Sequence, residues 1–279
     1  MLAGLRGRTA RASAAMISLR PAIPSDHAHY ARLFPQLIDD PILDAGRWEE
    51  ELMPHSLMAE LDGVVAGYAY GQLLGRTAFV RHVVVASEAR RRGVGRAMFV
   101  ELLARARAAR CAELCLNVRP TNDAAIALYA SFGLQPVFTT IVQRVPWAAV
   151  EAAPPHAEDI APGVVEPEDD AAIESRFAVT KGLFADARAK GRVLALVRER
   201  GAVVAACIFD PAFPIAHALR VARPELAIAL LLALRPHVLR THDHLQVVTD
   251  DAPDVVEMLA GLGATERLRT VRYAVTFPA

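Results

Sequence analysis

Between Val83 and Arg107 a β-branched run, an arginine-rich loop with two glycines and a helix follow one another without a gap. Val83, Val84 and Val85 form a run of buried-strand type. Arg90, Arg91 and Arg92 come next, then Gly93, Val94, Gly95 and Arg96. Beyond them Val94, Met98 and Leu102 fall on one helical face and predict a helix to about Arg107. The same order makes an anion site. Glycines let the backbone approach a ligand closely, and the first helical turn leaves its N–H groups open at the positive end of the dipole. The arginines favour a phosphorylated ligand. No Gly-Lys-Ser/Thr follows, so this is not a Walker loop. The third glycine of a Gly-x-Gly-x-x-Gly dinucleotide fingerprint is missing as well. A solvated basic turn is the plainer alternative.

A second informative stretch runs from Asn122 through Leu128-Tyr129 to Gly133-Leu134, after the strand-like Glu113–Val118. Together the two stretches resemble the GNAT N-acetyltransferases. Arg90-x-x-Gly93-x-Gly95 is similar to the family's acetyl-CoA loop, Arg/Gln-x-x-Gly-x-Gly/Ala, and the Asn122–Leu134 segment to its second signature. Leu134 stands where phenylalanine is usual. The resemblance implies that acetyl-CoA is the co-substrate. Backbone amides from about Arg91 to Arg96 would grip the pyrophosphate, beside Arg90. The strand Val83-Val84-Val85 would pair with the pantetheine arm through Val83 and Val85, with an N–H near Val83 polarising the thioester carbonyl. Asn122 would help hold the cofactor, or simply cap a helix. Tyr129 matches the family tyrosine that protonates the departing thiolate, and is otherwise a packed helix residue. His82 occupies the place of the family's frequent glutamate base and can take a proton near neutral pH, or it is structural. Tyr68, Tyr70 and Glu60 are reserves for the base, and a water relay is a further possibility.

Two halves of similar plan are expected. Ile17–Ala22 and Ile160–Val165 are strand-like, and each runs into a proline-led helix start. The helical stretches that follow reach to about Ile38 and Phe184. Hairpins turn at Asp62-Gly63 and Arg200-Gly201, and Gly133 has a counterpart in Gly263. The reading is a fold of α/β (α+β) type with two GNAT-like domains, each a mostly antiparallel twisted sheet flanked by helices. Residues 1–15 form an N-terminal extension, 16–146 the acetyltransferase domain, 147–158 a linker, and 159–279 a degenerate second copy. In that copy Ala252 and Leu259 replace Asn122 and Tyr129, and the loop Arg220–Glu225 has no glycine. The segment Asp210–Pro214 is expected to interrupt its fourth strand.

Composition narrows the partners. Lys+Arg and Asp+Glu are both 31, so net charge is zero, which argues against nucleic acid as the main ligand. The longest apolar run, Leu226–Leu234, is far too short to cross a bilayer, and it predicts a buried helix. Cys111, Cys115 and Cys207 make no disulfide or zinc pattern and suit a cytoplasmic setting. His242-Asp243-His244 reads as a solvated loop, with no metal expected. The leading function is direct acetyl transfer from acetyl-CoA to a small amine or amino acid in a ternary complex. The alternatives are acetylation of a protein lysine or N-terminus, and a non-catalytic acetyl-CoA-binding regulator.

Overall fold

Two hairpin turns frame the chain, whose computed structural model describes residues 16–153, 159–239 and 241–278. Asp62 (φ 54°) and Gly63 (φ 81°) close the first, and Arg200 (φ 51°) and Gly201 (φ 84°) the second. Two successive positive φ values match the twist of the flanking strands, so each pair makes a tight hairpin. The residues gather into two compact units. One comprises Met1–Tyr70 and His82–Leu102, the other Gly71–Arg81 and Leu103–Ala279.

The first unit begins with β1 (Ile17–Pro21), α1 (His27–Leu33) and the short α2 (Ala45–Arg47). It continues through β2 (Ser56–Leu61), β3 (Val64–Leu74), β4 (Thr77–Val85) and α3 (Val94–Ala108), the last three extending into the second unit. β1 pairs antiparallel with β2 from Ile17↔Leu61 to Pro21↔Leu57, and β2 with β3 from Ser56↔Tyr70 to Leu61↔Val64. The entry to α1 is fixed by Asp26, which accepts from the Ile23 N–H at 2.9 Å and binds Arg20 at 2.6 and 2.8 Å. Tyr30, Leu33 and Trp48 are buried here, with Tyr30 stacked on Trp48 at 4.9 Å.

Gly67 sets how closely β3 and β4 approach. A Cβ at this position would lie 2.5 Å from the Val84 carbonyl oxygen and 3.2 Å from the Met98 side chain. Backbone cannot yield as a side-chain tip does. Gly67→Ala is therefore expected to destabilise the protein by about 3 kcal/mol and lower its melting temperature by roughly 5–10 °C in scanning calorimetry. A loss below about 1 kcal/mol would show that the strands part easily.

The second unit adds β5 (Glu113–Val118), α4 (Asp123–Ala130), β6 (Gln135–Pro146), α5 (Trp147–Glu151) and β7 (Ile160–Val164). Then come α6 (Asp170–Phe177), α7 (Leu183–Ala189), β8 (Val193–Glu199), β9 (Ala202–Asp210) and β10 (Ile215–Val221). α8 (Leu226–Leu234), β11 (His244–Asp250), α9 (Pro253–Gly261) and β12 (Thr265–Thr276) complete it. From β5 the strand order is β5-β12-β6-β11-β10-β9-β8-β7. Most pairs are antiparallel; β10–β11 and β4–β5 are parallel. As expected, α8 is buried, with Leu226, Leu230, Leu231 and Leu234 fully covered.

The strand order differs from two domains laid end to end. β12, the last strand of the chain, lies between β5 and β6, pairing Val271↔Val118 on one side and Thr270↔Thr140 on the other. β6 in turn lies between β12 and β11, pairing Leu245↔Val145. Each half thus places its long final strand in the ladder of the other. The expected linker is partly structured as well: residues 147–151 form α5, with Trp147 and Val150 buried, while 154–158 and 1–15 lie outside the described residues. Pro211 and Pro214 do not break the fourth strand of the second half but flank the turn between β9 and β10. The helix expected to reach Phe184 ends at Phe177, because Ala178 adopts φ 50° and reverses the chain before α7. Among the described residues no helix is long and apolar enough to cross a membrane.

Candidate functional site

β4 ends at Val85, and the Ala86 N–H then bonds the Ala66 carbonyl at 2.8 Å. A single 3-10 turn over Ser87–Ala89 leads to a loop in which Arg91 (φ 63°) and Gly93 (φ 88°) both take left-handed conformations. Helix α3 starts immediately afterwards, and its first bond runs from the Ala97 N–H to the Gly93 carbonyl at 3.0 Å. Among the described residues the Val94 and Gly95 N–H groups find no backbone acceptor. Left-handed residues ahead of a helix start turn successive N–H groups inward, which is the geometry of an anion nest. Val94, Met98 and Leu102 are buried and anchor the helix.

The arginines around this nest are exposed and partly braced. Arg90 donates to Gln36 Oε1 at 3.0 Å and to the Val85 carbonyl at 3.3 Å, and Arg92 meets Asp62 at 3.1 Å. Arg91 and Arg96 are also exposed. Along β4, Val84 is buried and Val83 and Val85 are half-buried. The parallel ladder between β4 and β5 runs from Thr77↔Glu113 to Val80↔Leu116 and stops there, although β4 continues to Val85.

His82 sits on β4 in a ring of aromatics. Its ring packs against Tyr70 at 5.3 Å, Phe34 at 5.4 Å and Tyr68 at 5.9 Å, and its Nδ1 lies 3.2 Å from the Tyr68 hydroxyl. Burial, with the neighbouring Tyr30, raises the Tyr68 pKa far above the phenol range, so the hydroxyl keeps its proton. Glu60, a reserve for the base, is committed elsewhere. It accepts from Arg20 at 2.8 Å and from Ser18 at 3.3 Å, and the Arg20 hydrogen bond lowers its pKa.

In the second unit, Asn122 caps α4 by accepting from the Ala125 N–H at 3.2 Å. Its side-chain oxygen is thus already in use as a cap. Tyr129, on the same helix, is buried, and burial pushes its phenol up to about 12. All three cysteines are buried free thiols. His244 contacts Asp243 through Nδ1, and no group of metal-binding side chains occurs among the described residues. Sequence reasoning missed Gly67 and the Tyr68–His82 pairing. A glycine inside the β3 strand pattern was the available signal for the first.

The second half keeps the frame and lacks the nest. The Ala222 N–H bonds the Val204 carbonyl at 2.8 Å, as Ala86 bonds Ala66. Beyond that point the donors are used internally. Leu226, Ala227 and Ile228 donate to the carbonyls of Arg223, Pro224 and Glu225 at 3.2, 3.0 and 3.2 Å. Pro224 has no N–H to offer. Arg223 is held by Glu199 at 2.8 and 3.0 Å and by Glu225 at 2.7 Å. Ala252 starts α9 without a side-chain cap, and Leu259 is fully buried.

The first half of this pattern is found in known proteins. The Acetyltransferase (GNAT) family pattern matches residues 24–134. N-alpha-acetyltransferase RimI of Mycobacterium tuberculosis is 38% identical over 121 residues, which are 40% of this chain and 75% of that protein. The chain belongs to the GNAT acetyltransferase family. Its fold also resembles that of solved GNAT structures over nearly the whole length. A GCN5-related N-acetyltransferase from Sphaerobacter thermophilus gives a TM-score of 0.66 at 19% identity, covering 93% of this chain and 95% of that one. A tandem GNAT protein from the clavulanic acid biosynthesis pathway gives 0.60 at 18% identity, covering 95% and 100%. As a member of that family, the chain is an acetyl-CoA-dependent N-acetyltransferase.

Proposed function

We propose that residues 16–146 bind acetyl-CoA at the Arg90–Arg96 loop and transfer its acetyl group directly to a small amine or amino acid in a ternary complex. The observation that carries this reading is the left-handed Arg91/Gly93 loop, which leaves the Val94 and Gly95 amides without backbone acceptors at the start of α3. These residues fit a pyrophosphate, with Arg90, Arg91, Arg92 and Arg96 adding positive charge, and the β4 stretch Val83-Val84-Val85 offers backbone to the pantetheine arm. Acetyl-CoA supplies the activated thioester. The Val83 N–H polarises its carbonyl. Asn122 acts through the start of α4, and Tyr129 serves as the acid. At about 12 its phenol stays protonated at neutral pH and offers an O–H to the sulfur as negative charge develops there. His82 stands on the acceptor side. Residues 159–279 act without a donor site of their own and contribute to acceptor choice. The three unpaired thiols suit a cytoplasmic setting.

Similarity to an N-alpha-acetyltransferase supports a second reading, in which the acceptor is the α-amine of a peptide or protein. Incubation with acetyl-CoA and a panel of polyamines, amino acids, amino sugars and peptides, followed by mass spectrometry, separates the two. The small-molecule reading expects one low-mass class to gain an acetyl group with equimolar CoA release. Acetylation confined to peptide N-termini would favour the second reading, and binding of acetyl-CoA without any product would oppose both.

A further inference from the structure

The ring nitrogen that carries the proton decides what His82 can do, and its neighbour fixes which one it is. Tyr68 is fully buried on β3, and its hydroxyl proton must find an acceptor. Among the described residues one acceptor lies in reach: Nδ1 of His82, at 3.2 Å. If Nδ1 carried the ring proton instead, it would donate to the phenol oxygen and leave the buried O–H unsatisfied. That arrangement is disfavoured by roughly fivefold to a hundredfold. The surroundings press the same way. Tyr30 lies edge-on to Tyr68 at 5.7 Å, and Phe34 and Tyr70 pack on the half-buried imidazole, so the Tyr68 hydroxyl itself is walled by rings.

We infer that Tyr68 holds neutral His82 as the Nε2–H tautomer, making it a hydrogen-bond donor toward the acceptor rather than the base that deprotonates it. The tautomer stands on geometry alone; the role toward the acceptor rests on the acetyl-transfer reading. A neutral imidazole whose Nδ1 is engaged and whose Nε2 carries hydrogen has no lone pair for the amine's proton. The ammonium proton leaves to water before attack. As the free amine bonds the acetyl carbon and the C–S bond breaks, the nitrogen would lose its second proton to water and the thiolate would take one from Tyr129. An α-amine, with a pKa near 8, is neutral in roughly one molecule in ten at pH 7. A lysine side chain, near 10.4, is neutral in roughly one in a few thousand. Acceptors of the first kind suit such a site. Tyr68 is here a positioning residue, acting through His82.

The test uses the full chain with 15N-labelled histidine, at alkaline pH. Two-bond proton–nitrogen spectra distinguish the tautomers, and His82→Gln identifies the His82 signals. The expected result is a protonated Nε2 and a bare Nδ1 in the wild type, with Tyr68→Phe shifting both nitrogens toward averaged values. A protonated Nδ1 in the wild type would overturn the proposal, and that observation needs no variant to fold. Activity supplies the second arm. His82→Gln keeps a donor and is expected to stay within about tenfold of wild-type kcat, whereas His82→Glu offers a base without a donor and falls by roughly a hundredfold. Activity in His82→Glu equal to or above that of His82→Gln would restore the base role. If the wild type transfers no acetyl group to any amine, the transfer reading fails, while the tautomer is still decided by the spectra.

Discussion

Replacing Tyr129 with phenylalanine is expected to cut kcat by about 10²–10³-fold while leaving the affinity for acetyl-CoA within about twofold of wild type. The argument starts from burial. Tyr129 lies on α4 with its ring covered, so phenylalanine fills the same volume and the helix keeps its packing. Only the O–H is lost. Because burial pushes that phenol up to about 12, it remains a donor across the neutral range; in the proposed acid role it would respond to charge that develops on sulfur only as the thioester breaks. An interaction made chiefly in the transition state shows in kcat and leaves ground-state binding unchanged. The pH dependence follows with its sign. A group raised to about 12 loses its proton only at strongly alkaline pH, so Tyr129 alone produces no fall in activity between pH 6 and about 10. Steady-state kinetics on the amine identified by the panel checks both statements. Equal kcat in Tyr129→Phe would make Tyr129 a packed helix residue.

The second large effect is expected at the loop. Gly93→Val is expected to weaken acetyl-CoA binding by at least roughly thirtyfold while the fold survives. Space is not the difficulty, since a Cβ there would meet the Ile17 side chain at an ordinary 3.5 Å. Conformation is. At φ 88° a β-branched residue is strained by about 1–3 kcal/mol, and the loop relaxes by turning its amides away from a bound phosphate. Gly201→Val is the matched control, because φ 84° in the β8–β9 hairpin imposes similar strain outside the loop. Both variants are expected to lose stability, and only Gly93→Val to lose acetyl-CoA affinity, as read by calorimetric titration. Equal affinity in Gly93→Val and wild type would place the donor site elsewhere.

Features written in a few neighbouring residues were legible in the sequence. The turns at Asp62-Gly63 and Arg200-Gly201, the burial of α8 and the start of α3 after Gly93 all follow from local backbone preference or apolar periodicity. What depended on distant partners was not legible. Nothing in the local sequence of β6 or β12 says which strand each will pair with, so the exchange between the halves is not legible there. Trp147 and Val150 looked like linker because the α5 sequence is too short to show a period. The stop at Ala178 was hidden because alanine favours the helix that it here terminates. At the candidate site, residue types and spacing pointed to the loop, and the family resemblance to Tyr129 and His82. The hydrogen bond from Tyr68, which changes what His82 can do, joins residues on two strands and becomes visible only when they are side by side.

Calorimetric titration of the intact chain with acetyl-CoA tests the central claim most directly, because it reads affinity and stoichiometry together. The nest at Val94 and Gly95 offers donors, whereas at α8 the equivalent donors are spent on Arg223, Pro224 and Glu225. One molecule of acetyl-CoA per chain, lost in Gly93→Val, is the predicted result. Two molecules per chain would show that the second half retains a donor site, and none would contradict the assignment of the Arg90–Arg96 loop.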